Sequence, residues 1–209
     1  MTKRSWLGAL AGVLAVLGAM KADAMSQSST DIVGLLQDAD AIVVGRVTSV
    51  TDGIDDRGIP YTEVKLDISE TIRGELSGTY TFRQFGLLRP RLTADGKHKM
   101  MPAPEGFPRF VEGENNVLFL RPAAAWTGLR TTSGLGGGKF VVGPGRLENA
   151  WGNAGLFKNV RLDADLTTDA DKQMLTSDGA VNPDAFLSLV RRAVDGQWVE
   201  SGRMSRRVQ

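Results

Sequence analysis

The sequence predicts a mostly β domain, built as a small barrel or sandwich, and three observations carry this prediction. Apolar and polar residues alternate strictly over residues 62–69, which is typical of a strand with one buried face. Further short apolar segments follow, separated by turns rich in glycine and proline. An amphipathic segment near the C-terminus, residues 182–195, predicts one longer helix.

Residues 1–24 have the organisation of a secretory signal peptide. Lys3 and Arg4 precede an uninterrupted run of apolar and small residues over positions 6–20. A helix of that length spans about 22 Å, less than the roughly 30 Å hydrocarbon core of a bilayer. Ala22 and Ala24 fit the small-residue positions of a signal peptidase site, so we expect a periplasmic or secreted chain that starts at Met25. An uncleaved membrane anchor is the alternative.

Charge and cysteine content exclude several functional classes. The chain has 25 basic and 24 acidic residues, and three of the basic and one of the acidic residues lie before Met25. The remainder has a formal net charge near −1, which gives no general attraction for nucleic acid or anionic membrane. The absence of Cys excludes thiol catalysis, thiolate metal sites and disulfide bonds. We therefore expect no nucleic-acid partner and no cofactor.

The first elements follow from caps and β-branched residues. Residues 28–31 offer N-cap candidates for a short helix, whose apolar side holds Ile32, Val33, Leu35 and Leu36. Residues 41–50 predict a first strand, with a bulge or bend at Gly45 because glycine inside a strand commonly marks one.

The second strand has a clear phase. We expect its buried face to hold Val64, Leu66 and Ile68, and its solvent face to hold Glu63, Lys65 and Asp67. It ends near Gly74, and a third strand follows with Tyr80 and Phe82 alternating with polar residues.

Residues 85–110 lose this periodicity, and their length is typical of a functional or mobile loop. Later strands are predicted over 116–120, 139–142 and 146–151, with 129–132 as a candidate continuation of the first of these. Residues 166–181 are then a predicted linker, and Asn182 caps a helix over 182–195 that has Pro183 at its first position. Residues 196–209 show no periodicity and predict a flexible tail.

The order of these elements resembles known domains, and the resemblance rests on the segments DADAIVVGRVTSV, YTEVKLDISETIRGEL, FVEGENNVLFL and GGGKFVV. They resemble uncharacterised exported bacterial domains with an OB-like barrel, and are more distantly similar to the netrin-type fold of tissue inhibitors of metalloproteinases. The resemblance covers residues 38–142, and DAFLSLVRRAV resembles the terminal helix of the bacterial group. It implies an OB-like Greek-key barrel of five or more strands over residues 25–165, with a short N-terminal helix and a C-terminal helix packed on it. The inhibitors act through an N-terminal Cys that chelates the protease zinc, and Met25 stands there in this chain.

Three candidate chemical motifs have simpler structural interpretations. The glycine-rich stretch 134–139 lacks the spacing and the Ser or Thr of a phosphate-binding loop, and predicts a bend into a strand. The acidic residues at 163, 165, 169 and 171 lack the central Gly and distal Glu of a calcium loop. His98 lies beside Met100 and Met101, which could hold Cu(I), but two flanking lysines repel a cation.

Two classes of function remain open. The first is a non-enzymatic module that engages another exported or surface protein through loops at the end of the barrel. The loop 85–110 is its expected contact surface, because it combines the Arg, Met and aromatic residues that are enriched at interfaces. The candidate contact residues are Arg89, Arg91, His98, Met100, Met101, Phe107 and Phe110. Alternatively, Phe107 and Phe110 only pin the loop to the barrel.

The second class is a hydrolase or small-ligand-binding protein whose carboxylates converge in a cleft. A solid core without a polar pocket favours the first class. A deep cleft with two facing carboxylates favours the second.

Overall fold

The structure is a computed structural model, which describes residues 31–92, 96–99 and 101–207. The predicted signal peptide with Ala22 and Ala24, the candidate residue Met100 and the side chain of His98 lie outside the described residues. The helices are α1 (Ile32–Asp38), α2 (Asp169–Leu175) and α3 (Pro183–Asp195). The strands are β1 (Ala41–Ile54), β2 (Pro60–Arg73), β3 (Thr79–Phe85), β4 (Arg91–Leu92), β5 (His98–Lys99), β6 (Asn115–Leu120), β7 (Lys139–Gly143), β8 (Arg146–Asn149), β9 (Val160–Leu162) and β10 (Met204–Arg206).

One antiparallel sheet dominates the fold, with the strand order β3-β2-β1-β6-β7-β8. The first three strands form a meander, the chain then crosses to the other side of β1, and β6 to β8 form a second meander. The small pairs β4-β5 and β9-β10 lie outside this sheet. The prediction of a mostly β fold with a short first helix and a C-terminal helix is confirmed. Closure of the sheet into an OB-like barrel stays a prediction.

The predicted phase of β2 is correct. Val64 and Leu66 are fully buried, whereas Lys65 and Asp67 are exposed. Ile68 is partly buried and packs against the same apolar cluster. Period-two alternation therefore identified the buried face of this strand.

β1 is bent where the sequence predicts it. Its pairing register with β2 shifts between Val44 and Gly45 and at two other positions. A Cβ atom at Gly45 would lie 2.8 Å from the Asp67 carbonyl oxygen, so only glycine allows the two strands to approach this closely.

Apolar clusters cover both faces of the central strands. Ile42 and Phe119 face a cluster that includes α1 and α3, and Val43 and Leu118 face a second cluster with β2 and β3. Phe186 of α3 packs on the first face, with its ring centroid 4.9 Å from that of Phe140. The central strands are thus buried on both sides, which makes the sheet a rigid scaffold.

Both predicted helix starts are present. Asp31 accepts a hydrogen bond from the Gly34 amide at 2.8 Å, and Asn182 accepts one from the Ala185 amide at 3.0 Å. Pro183 occupies the first turn of α3.

Two predictions about the C-terminal third need correction. The predicted linker 166–181 contains α2, whose Asp171 is buried and accepts two hydrogen bonds from the Arg192 guanidinium. The predicted flexible tail 196–209 contains β10, which pairs with β9 and buries Met204 completely. Three residues are too few to show a period, so the pattern of β10 was invisible in the sequence.

The glycine-rich stretch forms the predicted bend. Residues Leu135–Gly138 make one 3-10 turn that leads directly into β7. A Cβ atom at Gly138 would lie 2.0 Å from the Ser133 carbonyl oxygen, so close backbone packing requires glycine there.

Candidate binding surface

Three loops meet where the β1–β2 hairpin turns. They are the hairpin turn itself (55–59), the first part of the long loop (86–92) and the loop after β6 (121–128), and together they are called the loop end. Hydrogen bonds join the loops. Asp52 of β1 accepts one from the long loop, and Arg57 of the hairpin turn donates one to the loop after β6. These contacts place segments that are distant in sequence on one end of the sheet.

Asp52 fixes the start of the long loop. Its Oδ2 accepts hydrogen bonds from the backbone amides of Leu88 at 2.7 Å and Arg89 at 3.0 Å. The Arg91 guanidinium donates to Oδ1 and, at 2.6 Å, to the Asp52 carbonyl oxygen. Only 6% of the Asp52 side chain is exposed. This carboxylate is therefore a structural anchor for the loop.

The pKa of Asp52 lies below its ordinary value. Burial by itself raises the pKa of this carboxyl, but the Arg89 amide, the Arg91 guanidinium and the Leu88 amide together outweigh burial. Asp52 thus stays ionised, and the ionised form holds the loop.

Arg57 ties the hairpin turn to the loop after β6. Its guanidinium donates to the carbonyl oxygens of Trp126 at 2.7 Å and Thr127 at 3.1 Å. Asp55 orients the same guanidinium, and the pKa of Asp55 is lowered by the Ile59 amide and by Arg57. Arg57 also lies over the Trp126 ring, 5.5 Å from its centroid. The backbone around Trp126 is held while its ring remains in solvent.

Among the described residues, four large apolar side chains are exposed: Leu88 (52%), Leu92 (67%), Val111 (56%) and Trp126 (77%). Three of these, Leu88, Leu92 and Trp126, lie on the loop end. Single exposed apolar side chains are normal on protein surfaces, whereas a group of them marks a surface that can bind.

Two of the predicted contact residues lie on this surface. Arg89 is exposed and forms no ion pair with any residue that the structure describes. Arg91 is paired with Asp52, yet 46% of its side chain stays exposed. Arg91 is therefore first an anchor of the loop, a role that the sequence did not indicate.

The predicted aromatic contact residues contribute more to packing inside the domain than to its exposed surface. Phe110 was predicted as a contact residue, and this is corrected: its ring is buried and packs edge-on against Phe82 at 5.6 Å. Phe107 and Met101 are half-buried, and the Met101 carbonyl oxygen accepts a hydrogen bond from the Leu87 amide at 2.7 Å. The alternative that aromatic residues pin the loop therefore holds for Phe110.

Phe107 borders a cleft of about 440 Å³ between the long loop and strands β7 and β8. Lys139 lies in the lining, with its Nζ atom donating to Glu114 Oε2 at 2.6 Å. The same ammonium is 5.3 Å from the Phe110 ring centroid. The Lys139 charge is already paired with Glu114, so this ammonium is not free to attract an anion into the cleft.

Four cavities are lined by described residues, and none of them brings two carboxylates together. One of about 700 Å³ has Asp178 as its only acidic lining residue, and the cleft beside Phe107 has only Glu148. A groove of about 330 Å³ has Glu63, and a cavity of about 430 Å³ has no acidic residue. In none of these four cavities do two carboxylates face each other.

The acidic stretch after β9 is used in ion pairs. Asp163 and Asp165 pair with Arg203, Asp169 pairs with Lys172, and Asp171 pairs with Arg192. No group of three or more His, Asp or Glu within the described ranges has a geometry that could hold a metal ion. These carboxylates therefore brace the C-terminal third.

The residues that define the loop end were only partly visible in the sequence. Leu88 and Leu92 fall in the predicted loop, but an apolar residue in a loop predicts burial as well as exposure. Trp126 follows three alanines in a stretch without periodicity, and its isolation was the only signal. Asp52 looked like an ordinary turn residue, because its partners lie more than 35 positions away.

None of the helices in the described part of the chain has the length and apolar character needed to span a bilayer. No protein-family model matches the chain, and comparisons with curated proteins and with solved structures find no match either.

Proposed function

We propose that this chain is an exported, non-enzymatic binding module that engages another secreted or cell-envelope protein through its loop end. One observation carries the proposal. Of the four large apolar side chains exposed among the described residues, three lie on loops that are tied to the same end of the β1–β2 hairpin: Leu88, Leu92 and Trp126.

The loops of the loop end are ordered in the unbound protein, and this order favours binding. Asp52 and Arg57 fix the backbone on either side of the exposed residues. A surface that is already ordered loses less conformational entropy when a partner binds. Pro90 restricts the same loop further.

The composition of the loop end also fits an interface. Trp and Arg are the residues most enriched among those whose truncation costs binding energy. Trp126 with Arg57 over its ring, together with Arg89, supplies both types. The adjoining leucines add apolar area that a partner would remove from water.

Hydrolysis by paired carboxylates has less support. Among the described residues, every carboxyl with a shifted pKa has a pKa below its ordinary value, namely Asp52, Asp55, Glu70, Asp169 and Asp171. A general acid needs a pKa raised toward the working pH. Small-ligand binding remains a second candidate, because the cavity of about 700 Å³ beside Trp151 lies within the usual size range of ligand sites.

Affinity capture tests the proposal. The mature chain is immobilised and exposed to the secreted and periplasmic fractions of its own organism, and retained proteins are identified by mass spectrometry. The same capture is run with Leu88 and Leu92 both replaced by Ser. Two lost apolar contacts at roughly 1 kcal/mol each predict about thirtyfold weaker retention of the partner.

Val111→Ser is the matched control, since Val111 is equally exposed but lies outside the loop end. All three proteins should melt at similar temperatures, because exposed substitutions change stability by about 0.5 kcal/mol or less. Equal capture by all three proteins, or capture of nothing by the unaltered chain, would refute the proposal.

A further inference from the structure

Residues 88–92 of the loop end, Leu-Arg-Pro-Arg-Leu, form a short segment with unusual exposure and are called the arginine–leucine segment. Leu88, Arg89, Pro90, Arg91 and Leu92 are all exposed. Asp52 holds this segment from the side of the sheet. The segment therefore projects its side chains outward from a fixed base.

The backbone of the segment has little left to offer a partner. The amides of Leu88 and Arg89 donate to Asp52, and Pro90 has no amide hydrogen. Arg91 and Leu92 already pair with Lys99 and His98 in the β4-β5 pair. A partner strand therefore finds no free amide along residues 88–90 with which to build a regular ladder, and the exposed side chains are the main groups left for recognition.

The side chains of the segment carry positive charge that the neighbouring Asp52 balances only in part. Arg89 makes no ion pair with any described residue, and the exposed part of Arg91 adds to the same field. The side chain of Asp52, which lies beneath the segment, is buried and already accepts hydrogen bonds from Arg91 and from the two amides. An approaching partner therefore meets two apolar side chains around one free guanidinium.

We infer that the partner presents an acidic, apolar-lined pocket that receives Leu88, Arg89 and Leu92. This inference rests on the proposed function and adds the chemistry of the partner to it. A carboxylate of the pocket would pair with the Arg89 guanidinium, and the pocket walls would cover the two leucines. A protein pocket fits better than an anionic lipid surface, because Leu88 and Leu92 flank Arg89 on a loop that Asp52 holds in place, whereas electrostatic attraction to anionic lipid needs no fixed loop.

The test uses the protein retained by the unaltered chain in the capture experiment, purified and titrated against variants at several salt concentrations. Arg89→Glu should weaken binding at least about tenfold, mainly by slowing association, and should flatten the salt dependence. Arg207→Glu makes the same change in net charge on an exposed residue of the C-terminal segment, and should stay within about twofold. Both variants should fold normally, because the Arg89 side chain forms no hydrogen bond or ion pair with a described residue and Arg207 is exposed.

The outcomes distinguish a failure of the proposed binding function from a failure of the inferred acidic pocket. If capture fails with the unaltered chain, the binding function and this inference fail together. If the leucine substitutions weaken capture while Arg89→Glu binds as before and salt has no effect, only the acidic pocket is wrong. Binding of the unaltered chain to phosphatidylglycerol vesicles that Arg89→Glu abolishes would replace the protein pocket with a membrane surface.

Discussion

At the scale of single residues, the buried carboxylate of Asp52 fixes the backbone of an exposed loop without being part of the exposed surface itself. It collects two backbone amides and one guanidinium from the long loop. Charged hydrogen bonds of this kind are stronger than neutral ones. The exposed residues Leu88 and Arg89 thus depend on a side chain that no partner would touch.

Asp52→Asn should loosen the loop, because a neutral amide accepts weaker hydrogen bonds and cannot pair with Arg91. We expect the unfolding free energy to fall by roughly 1–3 kcal/mol. Hydrogen exchange followed by NMR should show faster exchange at the Leu88 and Arg89 amides, with unchanged protection at Leu66 in the sheet. Asp56→Asn is the control, since Asp56 is exposed in the neighbouring turn.

Acid should reproduce this change in the unaltered protein. The folded-state pKa of Asp52 is lowered, so its stabilisation is complete above the ordinary carboxyl pKa of about 3.9 and is lost as the pH falls through the lower folded-state value. Equal exchange of the Leu88 amide in Asp52→Asn, Asp56→Asn and the unaltered protein at neutral pH would show that Asp52 is not the anchor.

At the scale of elements, two local sequence patterns predicted a strand and a helix correctly. The alternation around Leu66 and the Asn182-Pro183 cap needed no tertiary information, and both were correct. β10 was missed because its order comes from a distant partner, β9. α2 begins with a local capping box in which Thr168 and Asp171 exchange hydrogen bonds, a signal that the linker prediction did not use, and its pairing of Asp171 with Arg192 adds a distant contact. For the site, the loop was predictable by its length, but the exposure of Leu88 and the anchoring role of Arg91 depend on the fold around them.

The C-terminal strand gives a test at this scale. Met204 is fully buried, and Arg206 donates two hydrogen bonds to Asp31 at the start of α1. Met204→Ala should lower the unfolding free energy by about 2–5 kcal/mol, because burial is lost and a cavity remains. Denaturant unfolding measures this change.

Arg207→Ala is the matched substitution on an exposed neighbour, and should change stability by about 0.5 kcal/mol or less. Similar denaturation midpoints for both variants would mean that residues 204–207 behave as the flexible tail that the sequence predicted.

At the scale of the whole molecule, a doubly covered sheet supports a small and ordered loop surface. Helices α1 and α3 cover one face, and a second apolar cluster fills the other. β1 and β2 each run for 14 residues, so the hairpin turn lies far from the β2–β3 turn. The binding surface that we propose occupies only the hairpin-turn end.

Photocrosslinking in living cells tests this central claim most directly. A photoreactive amino acid is placed in separate variants at Leu92, at Trp126 and at Ser77, an exposed residue of the β2–β3 turn. A partner bound at the loop end should give an adduct of the same mass from positions 92 and 126, and none from position 77. An adduct from position 77 alone, or no adduct from positions 92 and 126, would contradict the account.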